Sequence, residues 1–514
     1  MSASSIAEPA GRRPVHTPWL ILPVLCVAVL VVNIDSTILN VALPTLIRKL
    51  HATSEDLQWI VDAYSLGFGG LLLVSGSFAD HIGRKRAFLT GFAVFAIGSL
   101  GASLSGSVGT LIAFRALMGT GAALQIPAGL SILGDVFRTP EMRARAVGMW
   151  GGTIGVGLAV GPVAGGLLLA HFAWGSIFLV NVPIVALGGL AAWRLVPESR
   201  DPAADAPDRP GALLSILGLG TVLWGVIEAP LHGWTSALVL AAVAAGVAIL
   251  VGLIFFERHS SHPMLRLEFF RSPRFSAALL AVGLGLFAVF GAVFVLSQLL
   301  QNELGYTPLQ AGVRILPIAG VLALTAPLST LVVRAIGSKL VAAAGLASMS
   351  AGYFLISGAC APAVTYLDVL PGMLCVGLGA GLLMPTAADA VLGAVPRAKA
   401  GVGSATYGVS IQVGGALGVA VLGSISATRY QHHVTALVAR LAPPALLHTI
   451  TGSLGAALVV AARIGPPAGP LLADAARTAF LSGAHLATAV AAFVALAGAL
   501  IVVVALPSRA PLDR

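Results

Sequence analysis

Residues 59–86, WIVDAYSLGFGGLLLVSGSFADHIGRKR, join a long apolar run to a short loop that is rich in glycine and charge. The apolar run, near 58–78, has the length of about 20 residues that a helix needs to cross the core of a bilayer. Three consecutive basic residues follow it, and basic residues gather in the cytoplasmic loops of membrane proteins. This stretch therefore predicts a transmembrane helix that ends in a cytoplasmic loop.

The same pattern recurs along the whole chain. Of the 514 residues, 57% are hydrophobic and only 10% are charged, against about 25% charged in an ordinary soluble domain. Further apolar runs of suitable length lie near 20–41, 87–106, 109–133, 145–169, 174–193, 211–230, 236–256, 275–299, 309–333, 338–357, 366–393, 402–426 and 483–506. The sequence therefore predicts an all-α polytopic membrane protein with 14 transmembrane helices.

The basic residues orient these helices. An even number of spans places both termini on the same side of the membrane. If that side is the cytoplasm, 21 of the 29 Lys and Arg residues fall in cytoplasmic segments. Six fall in outer segments, and Arg115 and Arg314 lie within helices. The positive-inside rule then predicts cytoplasmic termini. The net charge of +9 is thus a sign of membrane topology, and nucleic acid is not predicted as a partner.

Two stretches interrupt the regular spacing. Residues 195–210 are rich in proline and charge and predict a cytoplasmic linker. Residues 428–482 form a long outer segment whose apolar pieces are too short to span, so a membrane-associated helical hairpin is expected there. A weak repeat aligns SFADHIGRKRAFLTG (77–91) with LVVRAIGSKLVAAAG (331–345) and indicates duplicated halves.

Asp35 and Arg115 are ionisable residues inside predicted spans. Each costs roughly 2.5–3.5 kcal/mol to insert, so each is a functional candidate. Counting about 1.5 Å per residue, the two lie at roughly the same depth and could meet. Such a site could load and release a proton, because a nearby Arg and burial act on a carboxyl in opposite directions. The alternative is a fixed structural ion pair.

Two glycine-containing motifs accompany this pair. The first is a candidate gating loop made of Gly76, Asp80, Gly83, Arg84, Lys85 and Arg86. Its glycines permit close approach and a tight turn, whereas a plain positive-inside loop would explain only its basic residues. The second consists of Gly157, Gly161, Pro162, Gly165 and Gly166 in the fifth helix. Its spacing indicates a smooth packing face with a bend at the proline.

Taken together, these segments resemble the signatures of the major facilitator superfamily, in its fourteen-helix drug:proton antiporter branch. The likeness lies in DSTILNVALP (35–44), residues 59–86, FRALMGTGAALQIPAGLSIL (114–133), GLAVGPVAGG (157–166), ELGYTPLQAGVRILP (303–317) and GVGSATYGVSIQVGGALGVAVLGSI (401–425). It implies the major facilitator fold, with two six-helix bundles plus two extra central helices. It also implies a proton or substrate role for Asp35, a coupling role for Arg115 and a gating role for the Asp80 loop. Asn33, Tyr64 and Glu228 are candidate substrate contacts.

The expected organisation divides the chain into successive units. These are a cytoplasmic tail (1–19), a six-helix bundle (20–194), the linker (195–210), two additional helices (211–256), a cytoplasmic loop (257–274), a second bundle with the long outer segment (275–506) and a cytoplasmic tail (507–514). The sequence departs from the resemblance in the tenth helix, where it has Arg314 and not an acid, and at Arg334, which stands where the first half has Asp80. Asp62, Glu228 and Asp389 are expected near helix ends.

The predicted function is export of amphipathic or cationic drugs in exchange for protons across a bacterial inner membrane, by a monomer. The alternative is a proton-coupled exporter of one dedicated metabolite, lipid or siderophore. A polytopic membrane enzyme is disfavoured, since the sequence has no His-rich box, no paired intramembrane carboxylates and no metal-ligand spacing. No cofactor or metal is predicted, and the G-x-x-x-x-G-K-[ST] loop of an ATP-driven pump does not occur.

Overall fold

The computed structural model describes residues 18–137, 139–200, 208–260, 263, 266–395, 400–438 and 444–506. Within these ranges the chain is helical and contains no strand. Fourteen helices are long and apolar enough to cross a membrane. The prediction of an all-α polytopic protein with 14 transmembrane helices is confirmed. The predicted tails, the middle of the linker and part of the 257–274 loop lie outside the described residues.

The helices follow one another with short connections. They are α1 (Pro18–Leu50), α2 (Ser54–Ile82), α3 (Arg84–Ser103), α4 (Val108–Val136), α5 (Pro140–His171), α6 (Ser176–Leu179), α7 (Asn181–Leu195), α8 (Arg209–His232), α9 (Ala237–His259), α10 (Pro273–Gln298), α11 (Pro308–Ile336), α12 (Ser338–Ala359), α13 (Tyr366–Leu392), α14 (Ala400–Val438), α15 (Pro444–Gly452), α16 (Leu454–Ile464) and α17 (Ala468–Ala505). A 3₁₀ helix (Leu267–Arg271) precedes α10, and a π-helical turn (Leu299–Glu303) follows the last residue of α10. Helices α6 and α7 together form one span.

Two names describe the ends of the bundle. The terminal side is the side on which α1 begins, and the hairpin side is the opposite one, where α15 and α16 lie between α14 and α17. Helix α16 packs against α17 and also against α1. The hydroxyl of Ser54, at the start of α2, donates to the carbonyl oxygen of Gly452 at 3.0 Å. The α15–α16 pair therefore joins the second bundle to the first on the hairpin side.

The last two spanning helices are longer than the apolar runs suggested. Helix α14 continues to Val438 and α17 already begins at Ala468, so both reach into the predicted 428–482 segment. The added turns of α17 are rich in alanine and leucine, which are strong helix formers whether or not they lie in lipid. Hydropathy marks where a helix enters the membrane, whereas propensity decides where the helix ends.

The two bundles repeat the same packing plan. Helix α1 packs against α5 in the first bundle, and α10 packs against α14 in the second. Gly83 joins α2 to α3 with φ +111°, and Gly337 joins α11 to α12 with φ +87°. L-residues with a side chain rarely adopt such φ values, so glycine is required at both turns. These matched turns are the structural form of the sequence repeat.

The bundles close against each other along two helix pairs toward the hairpin side. Helix α5 meets α11 where Gly166 packs on Leu309, and α2 meets α14 where Gln58 packs on Gly423. Nearer the terminal side, α5 and α11 expose apolar side chains such as Met149 and Leu324. The structure is therefore closed on the hairpin side.

The two extra helices lie beside this closed seam. Helix α8 packs against α2 of the first bundle and α14 of the second, and α9 packs on α8. The contacts of α8 are apolar and involve Leu219 and Leu223 of α8 with Ala416 and Ala420 of α14. Most of α9 remains exposed apolar surface, as expected for a helix that faces lipid.

Candidate functional site: a buried ion pair and its surrounding helices

Asp35 and Arg115 form an ion pair inside the first bundle. Asp35 lies in α1 and Arg115 in α4, and the carboxylate Oδ2 is 2.5 Å from the guanidinium Nη1. Asp35 is 0% exposed and Arg115 is 1% exposed. The depth estimate from the sequence correctly brought the two side chains together. A buried pair of this kind is stable only if the remaining polar atoms of both partners are also satisfied.

Three neighbours hold the guanidinium of Arg115. Its Nε donates to the carbonyl oxygen of Ile60 in α2 at 3.0 Å. The ring of Tyr64, one turn further along α2, has its centroid 4.4 Å from the Arg115 Cζ, and the ring of Phe178 lies at 5.9 Å. Arginine over an aromatic face gains a cation–π attraction that grows when the site is dry. Arg115 thus connects α4 to both α1 and α2.

Asn181 completes the site, and sequence reasoning missed it. Its Nδ2, at the start of α7, donates to Asp35 Oδ1 at 3.2 Å and lies 3.4 Å from the Ser99 hydroxyl of α3. Asn181 is fully buried. A polar amide inside the apolar run 174–193 was the available signal, because buried amides in spans need partners. With Asn181 included, both carboxylate oxygens of Asp35 accept a hydrogen bond.

The glycine motif of α5 supports α1 from the opposite side. A Cβ added at Gly157 would meet Asn33, one at Gly161 would meet Thr37, and one at Gly165 would meet Ile38. Each of these residues of α1 lies within a few positions of Asp35. The predicted smooth packing face is therefore present and fits against the helix that carries the carboxylate.

The remaining residues of the motif face the other bundle. A Cβ added at Gly166 would strike the backbone of Leu309 in α11, and one added at Gly312 would strike the carbonyl of Pro162. Helix α5 is thus held between α1 and α11.

The loop after α2 contains a separate charge network on the terminal side. Arg84 Nε lies 2.6 Å from Asp80 Oδ1, and Arg84 Nη1 lies 2.6 Å from Asp135 Oδ2 at the end of α4. This network links the ends of α2, α3 and α4. Asp135 was missed because its sequence neighbourhood, GDVF, gives no sign of the tertiary pairing.

Glu198, at the start of the linker, also binds this loop. Its Oε1 accepts a hydrogen bond from the Lys85 backbone N–H at 3.2 Å, and its Oε2 is 3.6 Å from Arg86 Nε. The Lys85 ammonium donates to the Trp193 carbonyl oxygen at 2.6 Å. The carboxylate lies against Gly83, where a Cβ would clash with it. The close approach expected at Gly76 is not present, since a Cβ there would meet nothing within 4 Å.

The three candidate substrate contacts lie in different places. Tyr64 is buried beneath Arg115, and Asn33 is half-buried at the α1–α5 contact. Glu228 is on α8 and half-buried, and its Oε2 lies 3.5 Å from Nδ1 of His232. The structure therefore brings Tyr64 and Asn33 near the ion pair and places Glu228 near the hairpin-side end of α8.

Comparison with known proteins identifies the family of this chain. The family model described as Major Facilitator Superfamily matches residues 25–419. Over 511 residues the chain is 34% identical to the multidrug efflux pump LfrA of Mycolicibacterium smegmatis, covering 98% of this chain and 99% of that one. It is 33% identical to the tetracenomycin C resistance and export protein of Streptomyces glaucescens, covering 97% and 95%.

Solved structures resemble the chain in fold. One is a bacterial homolog of the human lysosomal transporter Spinster, in an inward-facing and unoccupied conformation, with a TM-score of 0.64 at 17% identity. The alignment covers 96% of this chain and 98% of that one. The human organic anion transporter MFSD10 superposes with a TM-score of 0.59 at 16% identity, over 96% of this chain and all of the other. From the family match, the relatives and the fold, the chain belongs to the Major Facilitator Superfamily.

Proposed function

We propose that this protein exports amphipathic, often cationic drugs from the cytoplasm in exchange for protons, across a bacterial inner membrane with its terminal side in the cytoplasm. The observation that carries the proposal is the buried Asp35–Arg115 pair in the first bundle. The names of the relatives, a multidrug efflux pump among them, support the class of substrate. The distribution of basic residues supports the orientation.

The charge of the site gives a reason for proton exchange. With Asp35 ionised the pair is neutral overall, whereas protonation of Asp35 leaves the Arg115 cation uncompensated. A cationic drug about 6 Å away would then be repelled by about 3 kcal/mol at an effective dielectric constant of about 20. That energy lowers its affinity by about 100-fold. Protonation of Asp35 therefore expels a cationic drug, and loss of the proton restores binding.

The packing gives a reason for coupling to movement. Protonated Asp35 holds Arg115 less strongly, which loosens the connection of α1 to α4 and α2. Because α5 lies between α1 and α11, the change reaches the contact between the bundles. We assign Asp80 and Arg84 a gating role on the terminal side, where their network with Asp135 holds the ends of three helices together.

A narrower substrate range is the second candidate. The similarity to a tetracenomycin C resistance and export protein favours it, because that name states a single compound. The two candidates share the proton chemistry and differ in the range of compounds that the protein would export.

A susceptibility panel separates these readings. Expression of the wild type in a bacterial host deleted for its own efflux pumps is expected to raise resistance to several unrelated lipophilic cations. The Asp35→Asn variant, at equal membrane abundance, is expected to return resistance to the level of the empty vector, since it cannot release the proton. Protection against one compound alone would support the dedicated exporter. Full protection by Asp35→Asn would contradict the role of Asp35.

A further inference from the structure

Asp62 of α2 is a buried carboxyl group that the proposed exchange at Asp35 does not use. Its side chain is 0% exposed. Neither of its carboxylate oxygens has a hydrogen-bond partner among the described residues. The sequence placed Asp62 near a helix end, but it lies more than two turns into α2. An ionised carboxylate in such a place is costly unless it is paired, so the neutral acid is the form that fits.

The position of Asp62 along α2 places it at the seam between the bundles. Gln58, Asp62 and Gly69 share one face of α2, by helical periodicity. Gln58 packs on Gly423 of α14, and Gly69 packs on Gln412 of the same helix. Asp62 lies between these two contacts, and therefore at the level where α2 and α14 close against each other.

Helix α8 covers the same seam from the side. Leu66 of α2 packs on Gly220 of α8, and Trp59 of α2 packs against the apolar cluster that α8 forms with α14. Asp62 thus lies where three helices meet, one turn from the buried Gln58 of α2. Helix α8 therefore covers one side of the α2–α14 seam at the level of Asp62.

No charged neighbour compensates a negative charge at Asp62. The charged or titratable groups on the surrounding helices are Cys26, Asp35, Arg48 and Lys49 of α1, Glu55, Asp56, Tyr64, Asp80 and His81 of α2, Arg84, Lys85 and Arg86 of α3, Arg115 and Asp135 of α4, Arg209, Glu228 and His232 of α8, and Tyr407, Arg429, Tyr430, His432 and His433 of α14. Among the described residues none of these groups hydrogen-bonds to either carboxylate oxygen of Asp62. Arg115 is already bound to Asp35 and to the carbonyl oxygen of Ile60.

We propose that Asp62 is a second proton-binding site, which takes a proton from water on the hairpin side while the α2–α14 seam is open and must keep it for the seam to close. The proposal rests on the proposed function, since alternating access requires this seam to part. When the seam opens, water solvates the carboxyl group, which then exchanges its proton with that water, so that the external pH sets how often the group is protonated. Closure with Asp62 ionised would bury an unpaired charge.

The proton on Asp62 is not the exported drug's exchange partner. On the terminal side of Asp62 the seam stays closed, because Gly69 packs on Gln412 and Leu72 packs on Gly408. A proton bound in the closed seam therefore returns to the hairpin side when the seam reopens. Asp62 makes the stability of the closed state depend on external pH, whereas Asp35 binds the proton that is exchanged for the exported drug.

The test measures opening of the hairpin side directly. Spin labels are placed at His171, the end of α5, and at Gln310, near the start of α11, both exposed and remote from Asp62, after the three native cysteines are replaced by alanine. Distances are measured in lipid nanodiscs, without substrate or gradient, between about pH 5 and about pH 9, a range in which buried carboxyl groups titrate. The chains compared are the labelled parent with native Asp62, Asp62→Asn, Asp62→Glu and Asp35→Asn.

In the labelled parent, the fraction of molecules with a long distance between the labels at positions 171 and 310, which is the open state, is expected to rise with pH. Asp62→Asn is expected to lose this shift and to remain closed at every pH, whereas Asp62→Glu and Asp35→Asn keep the shift. The proposal is overturned if Asp62→Asn shows a pH-dependent shift in distance as large as that of the parent. It is also overturned if the parent shows no such shift, or if Asp62→Glu or Asp35→Asn loses it. Failure of drug-driven proton exchange would instead overturn the proposed function and leave this distance result unaffected.

Discussion

Replacing Arg115 by methionine is expected to abolish gradient-driven drug export and to destabilise the folded protein. The substitution leaves Asp35 buried, with Asn181 as its remaining partner. Removing one member of a buried ion pair costs about 3–5 kcal/mol, because the other charge stays behind uncompensated. Asp35 can avoid the buried charge only by holding its proton permanently, which itself costs folding free energy at neutral pH because a free carboxyl group is ionised there. A carboxyl group that never releases its proton cannot exchange it.

The matched control removes both charges. The double variant Asp35→Asn with Arg115→Met has no unpaired charge in the site, so it is expected to unfold at a higher temperature than Arg115→Met alone. It should remain inactive in export, because the proton site is gone. The measurements are thermal unfolding of the purified protein and drug export from cells. Export by Arg115→Met at more than half the wild-type rate would contradict the coupling role of Arg115.

The second large effect is expected at Gly161 in α5. Alanine at this position would drive its Cβ into Thr37 and the Ile34 carbonyl of α1, which are two residues and one residue from Asp35. Overfilling a packed contact costs about 1–3 kcal/mol. Since α5 also meets α11, the shift is expected to reduce export at least about tenfold as well as the unfolding temperature, a tenfold rate change being about 1.4 kcal/mol of activation energy.

The same helix offers the control for this substitution. An added Cβ at Gly152 would meet nothing within 4 Å. Gly152→Ala should therefore leave export unchanged, and it should slightly stabilise the helix, since alanine is the better helix former by up to about 1 kcal/mol. Equal effects of the two substitutions on export and unfolding would show that the α1–α5 contact is not what makes Gly161 important.

The sequence predicted the spanning helices and the central pair for one physical reason. Charged residues are expensive in a bilayer, so Asp35 and Arg115 stand out in apolar runs, and the helical rise places them at one depth. The glycine face of α5 was readable in the same way, because its spacing is regular. These features depend on local sequence and on the membrane, not on knowledge of the neighbouring helices.

What the sequence did not reveal depends on tertiary contacts. Asn181 reaches Asp35 across 146 positions of the chain, and Glu198 reaches the loop after α2 from the start of the linker. Gly76 and Gly83 look alike in sequence, yet only Gly83 has a positive φ and a close neighbour. Asp62 resembled a helix-end acid until the packing of α2, α8 and α14 showed it to be enclosed.

The central claim is that a proton at Asp35 exchanges with a cationic substrate, and reconstituted vesicles test it most directly. The protein is placed in vesicles, a pH gradient is imposed, and uptake of a fluorescent lipophilic cation is followed together with the internal pH. In the wild type, cation uptake is expected to depend on the gradient and to be accompanied by proton movement in the opposite direction. In Asp35→Asn both movements should be lost. Gradient-driven exchange that persists in Asp35→Asn would contradict the account and place the coupling elsewhere in the protein.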